Sequence, residues 1–156
     1  MLWRLWLKWW EAWKSARAAR VRARTGTGSG SRTLWIGHLG EQSARRHLEA
    51  VGMKFLTANY RTKRGEIDLV FRDGDCLVFV EVKARSSEAW GRPAAAVDSR
   101  KRRALSRVAL EYLRSLKQPR VRIRFDVVEV LLAGDRVREV RHLPNTFPLS
   151  APYRYG

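Results

Sequence analysis

Apolar and polar positions change period several times along the 156-residue chain. Leu105, Val108, Ala109, Tyr112, Leu113 and Leu116 recur at helical spacing, with Asp98 or Ser99 before them as a cap, and predict a long helix. A helix is also predicted over 34–51, where Gly37, Glu41, Ala44, Leu48 and Val51 share the core-facing stripe. A strand over 53–60 follows. "GEIDLVFR" and "CLVFVEVKAR" read as a hairpin across "DGD", "RVRIRFDVVEVLL" as a further strand and "RVREVRHLP" as the last. A loop around "SSEAWGRP" joins the hairpin to the long helix. The order α-β-β-β-α-β-β predicts an α/β fold, a central mixed sheet with a helix on each side.

Residues 1–24, "MLWRLWLKWWEAWKSARAARVRAR", carry a different pattern. Arg4, Lys8, Glu11 and Ser15 form one stripe; Leu2, Trp6, Trp9 and Trp13, widened by Trp3 and Trp10, form another. The charges interrupt any transmembrane run, and a signal peptide's apolar stretch and cleavage site are missing. An amphipathic helix in the interface of an anionic membrane fits. So does a helix packed on the domain or a partner, or a true start codon further along. "TGTGSGS" reads as a flexible linker. The expected divisions are a helix over 1–24, a linker over 25–33, the folded domain over 34–150 and a tail over 151–156.

The formal charge is +17, and both parts share it. Residues 1–32 hold eight Lys/Arg against one Glu, and residues 33–156 hold twenty-four Lys/Arg against fourteen Asp/Glu. Such a surface favours polyanions, whether nucleic acid or an anionic membrane. Cys76 is the only cysteine, which excludes an internal disulfide and fits a packed thiol in a cytoplasmic protein. His38, His47 and His142 show no zinc-ligand spacing.

Charges in the apolar hairpin raise the main question. Side chains alternate along a strand, so Glu81 and Lys83 share a face, as do Glu66 and Asp68 on the other strand. If Asp73 and Gly74 form the centre of an even loop, Arg72 pairs with Asp75 and Asp68 comes diagonal to Glu81 on one face; an odd loop sends it to the other. Carboxylates so crowded need a cation. Lys83 offsets one charge, and an oxygen-preferring ion such as Mg²⁺ offsets more. Such an ion could polarise a phosphodiester and activate water, with Lys83 stabilising the charge that develops. E-x-K is also common on solvated strands, but this strand is apolar on both faces. Glu41, inward on its helix, is either a third member or a capping and ion-pairing residue.

An Asp on one strand and E-x-K on the next resemble the PD-(D/E)XK nuclease superfamily. "GEQSARRHLEAVGMKFLTANYRTKRGEIDLV", "LVFVEVKAR", "AAAVDSRKRRALSRVALEYL" and "RFDVVEV…HLPNTF" more closely resemble a bacterial family of the YraN type, over about residues 34–148. The resemblance implies a restriction endonuclease-like core. It implies Asp68 and Glu81 as ligands of Mg²⁺ or Mn²⁺, the Val82 carbonyl as an additional ligand, and Lys83 as the catalytic lysine. It implies Glu41 as the helix carboxylate of the Holliday-junction-resolvase-like branch. "KAR" where "KTR" or "KVR" is more usual is a mild departure, and the Trp-rich arm lies outside the resemblance.

Arg61, Lys63 and Arg64 precede the motif, Arg85 follows it, and Arg100, Lys101, Arg102 and Arg103 open the long helix; all are candidates to contact phosphates. Arg120, Arg122 and Arg124, alternating on a later strand, join them, and Trp90 could stack on a base or pack on the hairpin. Cations at a helix N-terminus are unfavourable unless an anion passes by. The leading expectation is a Mg²⁺- or Mn²⁺-dependent endonuclease acting on DNA, branched or flapped forms included, with a dimer among the open oligomeric states. Its rivals are a non-catalytic nucleic-acid-binding module of the same fold, and a protein held at the inner membrane face by residues 1–24.

Overall fold

A computed structural model describes residues 29–86 and 97–155. The chain divides into two units, Met1–Arg32 and Thr33–Gly156. The Trp-rich helix expected over 1–24, and Trp90 with its loop, lie outside the described residues. The elements are α1 (Ser29–Ala50), β1 (Lys54–Thr62), β2 (Gly65–Asp73), β3 (Cys76–Ser86), α2 (Ser99–Ser115), β4 (Arg122–Ala133) and β5 (Arg136–Phe147). The order is the expected one. α1 starts inside the segment read as linker, so residues 29–33 are helical. Once the turns from Thr33 onward exist, adding a residue at the end fixes few dihedrals per bond gained.

The strands form one sheet in the order β1-β2-β3-β4-β5. Neighbours are antiparallel except β3 and β4, which are parallel and joined through α2. Alternation along β3 assigns the two faces. Val78 and Val80 join Ala44 and Leu48 of α1 in one apolar cluster with Leu69, Phe71, Val128 and Val130. Phe79, between them, packs its ring on Tyr112 of α2 and on Phe125. A five-stranded mixed sheet with a helix on each face is consistent with a restriction endonuclease-like core. Among the described residues, no helix is long and apolar enough to cross a membrane.

Each helix has a local cause. Asp98 caps α2, its Oδ1 accepting from the Lys101 N–H at 2.8 Å. Leu105, Val108, Ala109, Tyr112 and Leu113 are buried as the spacing predicts. On α1, Ala44 and Leu48 are buried, but Val51 is 57% exposed. Val51 falls past the last helical residue, in the turn into β1, so the stripe no longer points it at the core. Gly40 allows the closest approach of helix to sheet: a Cβ there would sit 2.8 Å from the Ala84 Cβ.

The hairpin register is even, as expected, but its turn lies one residue later than the sequence reading placed it. Asp73 pairs with Cys76, and Gly74 and Asp75 form the turn, with Gly74 at φ +58°. A glycine in the first turn position takes the left-handed conformation without a Cβ clash, and this decides the register. Cys76 is buried and unbonded to another sulfur.

One buried charge network ties β5 to β4. Asp126 is fully buried and accepts from Arg124 Nε at 3.0 Å, His142 Nε2 at 2.8 Å and the Asn145 N–H at 2.9 Å. Arg124 also donates to Asp73 at 2.8 Å, and Arg122 to Asp75 at 2.6 Å. These two arginines are therefore engaged in ion pairs within the sheet rather than extended as a row of phosphate contacts. Burial alone would raise the Asp126 pKa, but the bonds from His142, Arg124 and Asn145 outweigh it and lower the value. A lowered carboxyl pKa contributes stability above the unfolded-state value and loses it as pH falls through the folded-state value. Asp126→Ala should cost about 3–5 kcal/mol near neutral pH, because it removes the buried acceptor shared by Arg124, His142 and the Asn145 N–H. Denaturant unfolding should show the deficit shrinking as the solution is acidified. Asp75→Ala, at an exposed pair, should leave the midpoint where it is. A wild-type midpoint for Asp126→Ala would mean that the network contributes nothing.

Candidate active site

The site begins where two strands part. β2 and β3 pair from Asp73↔Cys76 to Leu69↔Val80 and no further. Beyond that step, β2 continues beside β1 and β3 beside β4. The first residues past the last pair are Asp68 and Glu81. With its ladder partner gone, the Val82 N–H donates to Asp68 Oδ2 at 2.7 Å. The parting therefore sets both carboxylates at the mouth of the split and gives one of them a main-chain donor.

A second irregularity shapes the other side. Asn59 takes φ +53° within β1, between the pairs Ala58↔Leu69 and Tyr60↔Ile67. Ala58 packs on the α1 side, yet Tyr60, two residues on, meets Tyr112 of α2. The strand turns over at Asn59, directly beside Asp68. β2 does the same: Leu69 faces the α1 cluster, while a Cβ on Gly65 would meet Val108 and Ala104 of α2. Simple alternation therefore fails at Asp68, and Glu66 leaves the cluster to accept from Arg61 at 2.7 Å. The third carboxylate is Glu41 of α1, which accepts from Asn59 Nδ2 at 3.0 Å. A left-handed, non-glycine residue in a strand stores strain, and here it aims an amide at the site.

The electrostatics follow from this crowding. Asp68 is pushed up to about 7, first by burial and then by Glu81. The Val82 N–H and Lys101 oppose the rise, and Glu41 adds to it. Lys101, at the start of α2, sets Nζ 3.1 Å from Glu81 Oε2. The contact is an ion pair without hydrogen-bond alignment, and this buried oxygen has no hydrogen-bond partner among the described residues. Lys83, partly buried, makes no ion pair among the described residues; it lies two residues from Glu81 and is paired across β4 with Glu129. Glu129 is 1% exposed, neither of its oxygens is hydrogen-bonded among the described residues, and Arg141 Nη1 stands 3.6 Å from it.

Asp68, Glu81 and Glu41 come together, then, with Lys83 on the neighbouring stretch of β3. The basic residues divide. Arg61 pairs with Glu66, Arg64 with Glu111 at 2.9 Å, and Lys101 with Glu81, whereas Lys63, Arg100 and Arg103 are exposed and Arg85 and Arg102 partly so. Three contributors escaped the sequence reading: Asn59, Lys101 as a member of the carboxylate cluster, and Glu129. Only Glu129 carried a signal, a charge inside "RFDVVEVLL", the same sign that singled out Glu81.

The donor set fits one oxygen-preferring divalent ion. Glu81 presents a buried oxygen that is ion-paired to Lys101 but has no hydrogen bond among the described residues, and burial together with Glu81 raises the pKa of the Asp68 carboxyl. Among the described residues no three His, Cys, Asp or Glu side chains converge as ligands, so the protein offers two carboxylates and a main-chain carbonyl at most. A hydrated Mg²⁺ uses such a sparse set.

A carboxyl whose folded pKa is raised favours folding while protonated. That contribution is full below the unfolded value near 4 and is lost as pH rises to about 7. In chelator, Asp68→Asn should stabilise the protein by roughly 2–4 kcal/mol at pH 8 and by little at pH 4, read from unfolding midpoints. A destabilised variant at pH 8 would contradict the crowding described here.

Comparison with known proteins places the chain among sequence relatives. Residues 40–130 match the model of Uncharacterised protein family UPF0102, the YraN-type group. A UPF0102 protein of Chlorobaculum tepidum is 43% identical over 107 residues, 69% of this chain and 83% of its own. One from Syntrophus aciditrophicus is 44% identical over 108 residues, 69% and 85% of the two chains. One from Geobacter metallireducens is 42% identical over 115 residues, 74% and 93%. The names of these relatives state family and no activity.

Proposed function

The chain belongs to family UPF0102, and on that premise we propose that it is a metal-dependent endonuclease acting on DNA, branched or flapped forms included. The observation that carries the reading is the pair Asp68 and Glu81 at the split between β2 and β3, with Lys83, which makes no ion pair among the described residues, two residues on. Asp68 and Glu81, with the Val82 carbonyl, would hold Mg²⁺ or Mn²⁺. An ion held by these residues would supply Lewis-acid activation of the phosphodiester and of the attacking water. Glu41 fixes the Asn59 amide beside Asp68 and so keeps the mouth of the split in shape. Lys83, lacking a protein partner among the described residues, can donate to a phosphoryl oxygen as negative charge grows on it. Lys63, Arg85, Arg100, Arg102 and Arg103 would take the flanking phosphates, with Arg61 and Arg64 joining on exchange of their carboxylate partners. Residues 1–24 would add a contact with anionic membrane at the cytoplasmic face.

The rival reading, a binding module without turnover, keeps the basic surface and loses the chemistry. Single-turnover cleavage of linear, flapped and four-way DNA with Mg²⁺ or Mn²⁺ separates the two. Lys83→Met keeps much of the stem's packing while removing its charge. It should cut the rate by about 10²–10³ and leave DNA affinity nearly unchanged. A folded Lys83→Met that cleaves like wild type would make Lys83 structural. Failure of wild type on every substrate would favour the binding module.

Either reading predicts electrostatic binding. If six to ten phosphates are contacted, the affinity of residues 32–156 for DNA should fall by roughly 10³–10⁵ between 50 and 200 mM salt. A flat response would remove nucleic acid as the partner.

A further inference from the structure

We propose that Lys101 is a tethered counter-cation of the carboxylate pair: it balances Glu81 while the site holds no divalent ion, gives way when one enters, and then takes a phosphate oxygen of the substrate. The inference rests on the metal-binding reading of Asp68 and Glu81 given above.

Lys101 is placed for this by the cap of α2. Its N–H is bonded to Asp98 Oδ1, which fixes its backbone in the first helical turn. Its neighbours Arg100 and Arg103 are exposed, but the Lys101 side chain reaches back to Glu81, whose own side chain is 12% exposed. The ammonium neutralises without saturating, since Glu81 Oε2 remains without an aligned hydrogen bond. A contact of that kind balances charge and is readily exchanged. The Lys101 side chain is 41% exposed on a flexible four-carbon stem, so moving it disturbs no packing of consequence.

A divalent ion at Glu81 Oε2 would stand beside this ammonium and repel it. The ammonium gains no new partner along α2, because no acidic residue lies in the first turn, its sequence neighbours Arg100, Arg102 and Arg103 are cations, and the Asp98 carboxylate is already engaged as the cap. The helix N-terminus adds positive potential of its own. An arriving phosphate resolves the conflict, since its negative charge is favoured both by the ammonium and by the positive potential of the helix N-terminus. Metal binding at Glu81 and phosphate binding at Lys101 are thereby linked, each favouring the other.

The test titrates Mn²⁺ by calorimetry into wild type, Lys101→Met and Arg114→Met, all full-length and checked for folding by circular dichroism. Arg114 is exposed in the last turn of α2 and controls for the lost charge alone. Lys101→Met should bind Mn²⁺ about three- to tenfold more tightly than wild type, and Arg114→Met should match wild type. Equal affinity of Lys101→Met and wild type overturns the inference and leaves the metal site standing. No Mn²⁺ binding by wild type overturns the metal reading and the inference with it. DNA binding supplies the second arm, measured for the same proteins in chelator and in Ca²⁺. The loss caused by Lys101→Met should be about tenfold or more in Ca²⁺ and under about twofold in chelator. Equal losses in the two conditions, or no DNA binding by wild type in Ca²⁺, overturn the handover to phosphate.

Discussion

Two carboxylates set opposite each other in an apolar ladder repel, and the architecture of the split depends on that fact. The β2–β3 hairpin zips through apolar pairs to Leu69↔Val80. One more step in the same register would put Asp68 against Glu81, like charges directly opposed in a low-dielectric setting. The strands separate there instead. Their separation releases the Val82 N–H to Asp68, and the Asn59 turn-over and the approach of Lys101 act at the same level. The opening is thus tied to its own charges.

Three buried or nearly buried carboxylates show how such charges can be sorted. Asp126 is deeper than Glu81 yet fully provided for, with Arg124, His142 and the Asn145 N–H donating to it. It reads as a fastening between β4 and β5. Glu81 and Glu129 are buried with oxygens that nothing in the described residues hydrogen-bonds. Burying polar atoms without donors is costly, and a fold that retains the cost has it available for a ligand. Satisfaction, rather than depth of burial, distinguishes the structural charge from the candidate functional one.

The sequence made the elements legible because each announces itself locally. Helical spacing from Leu105 to Leu113, the Asp98 cap and the apolar runs of β3 and β4 need no distant partner to be read. The even hairpin was legible too, but not its position, because the choice between "DG" and "GD" at the turn is settled by the left-handed φ of Gly74. Asn59 was beyond reach: a positive φ in a non-glycine residue is imposed by what surrounds it. Lys101 was visible only as one of four cations, since its reach to Glu81 depends on how α2 lies over the sheet. Charges in apolar runs were readable as unusual; their partners were not. Glu66, which strict alternation would keep beside Asp68, is turned to Arg61 because alternation breaks there.

The parallel pairing of β3 with β4 has a consequence for the order of assembly. β1, β2 and β3 follow one another through two-residue turns, so their contacts are close in sequence and their closure entropy is small. Cys76 and Arg122 meet only after the chain has passed through α2, a far longer closure. The three-stranded meander is therefore the element suited to form early, with Asp68 and Glu81 already at its fork. Their counter-cation rides on α2 and arrives with the slow closure. The fork and the lysine that balances Glu81 are thus contributed by segments whose closures differ greatly in length.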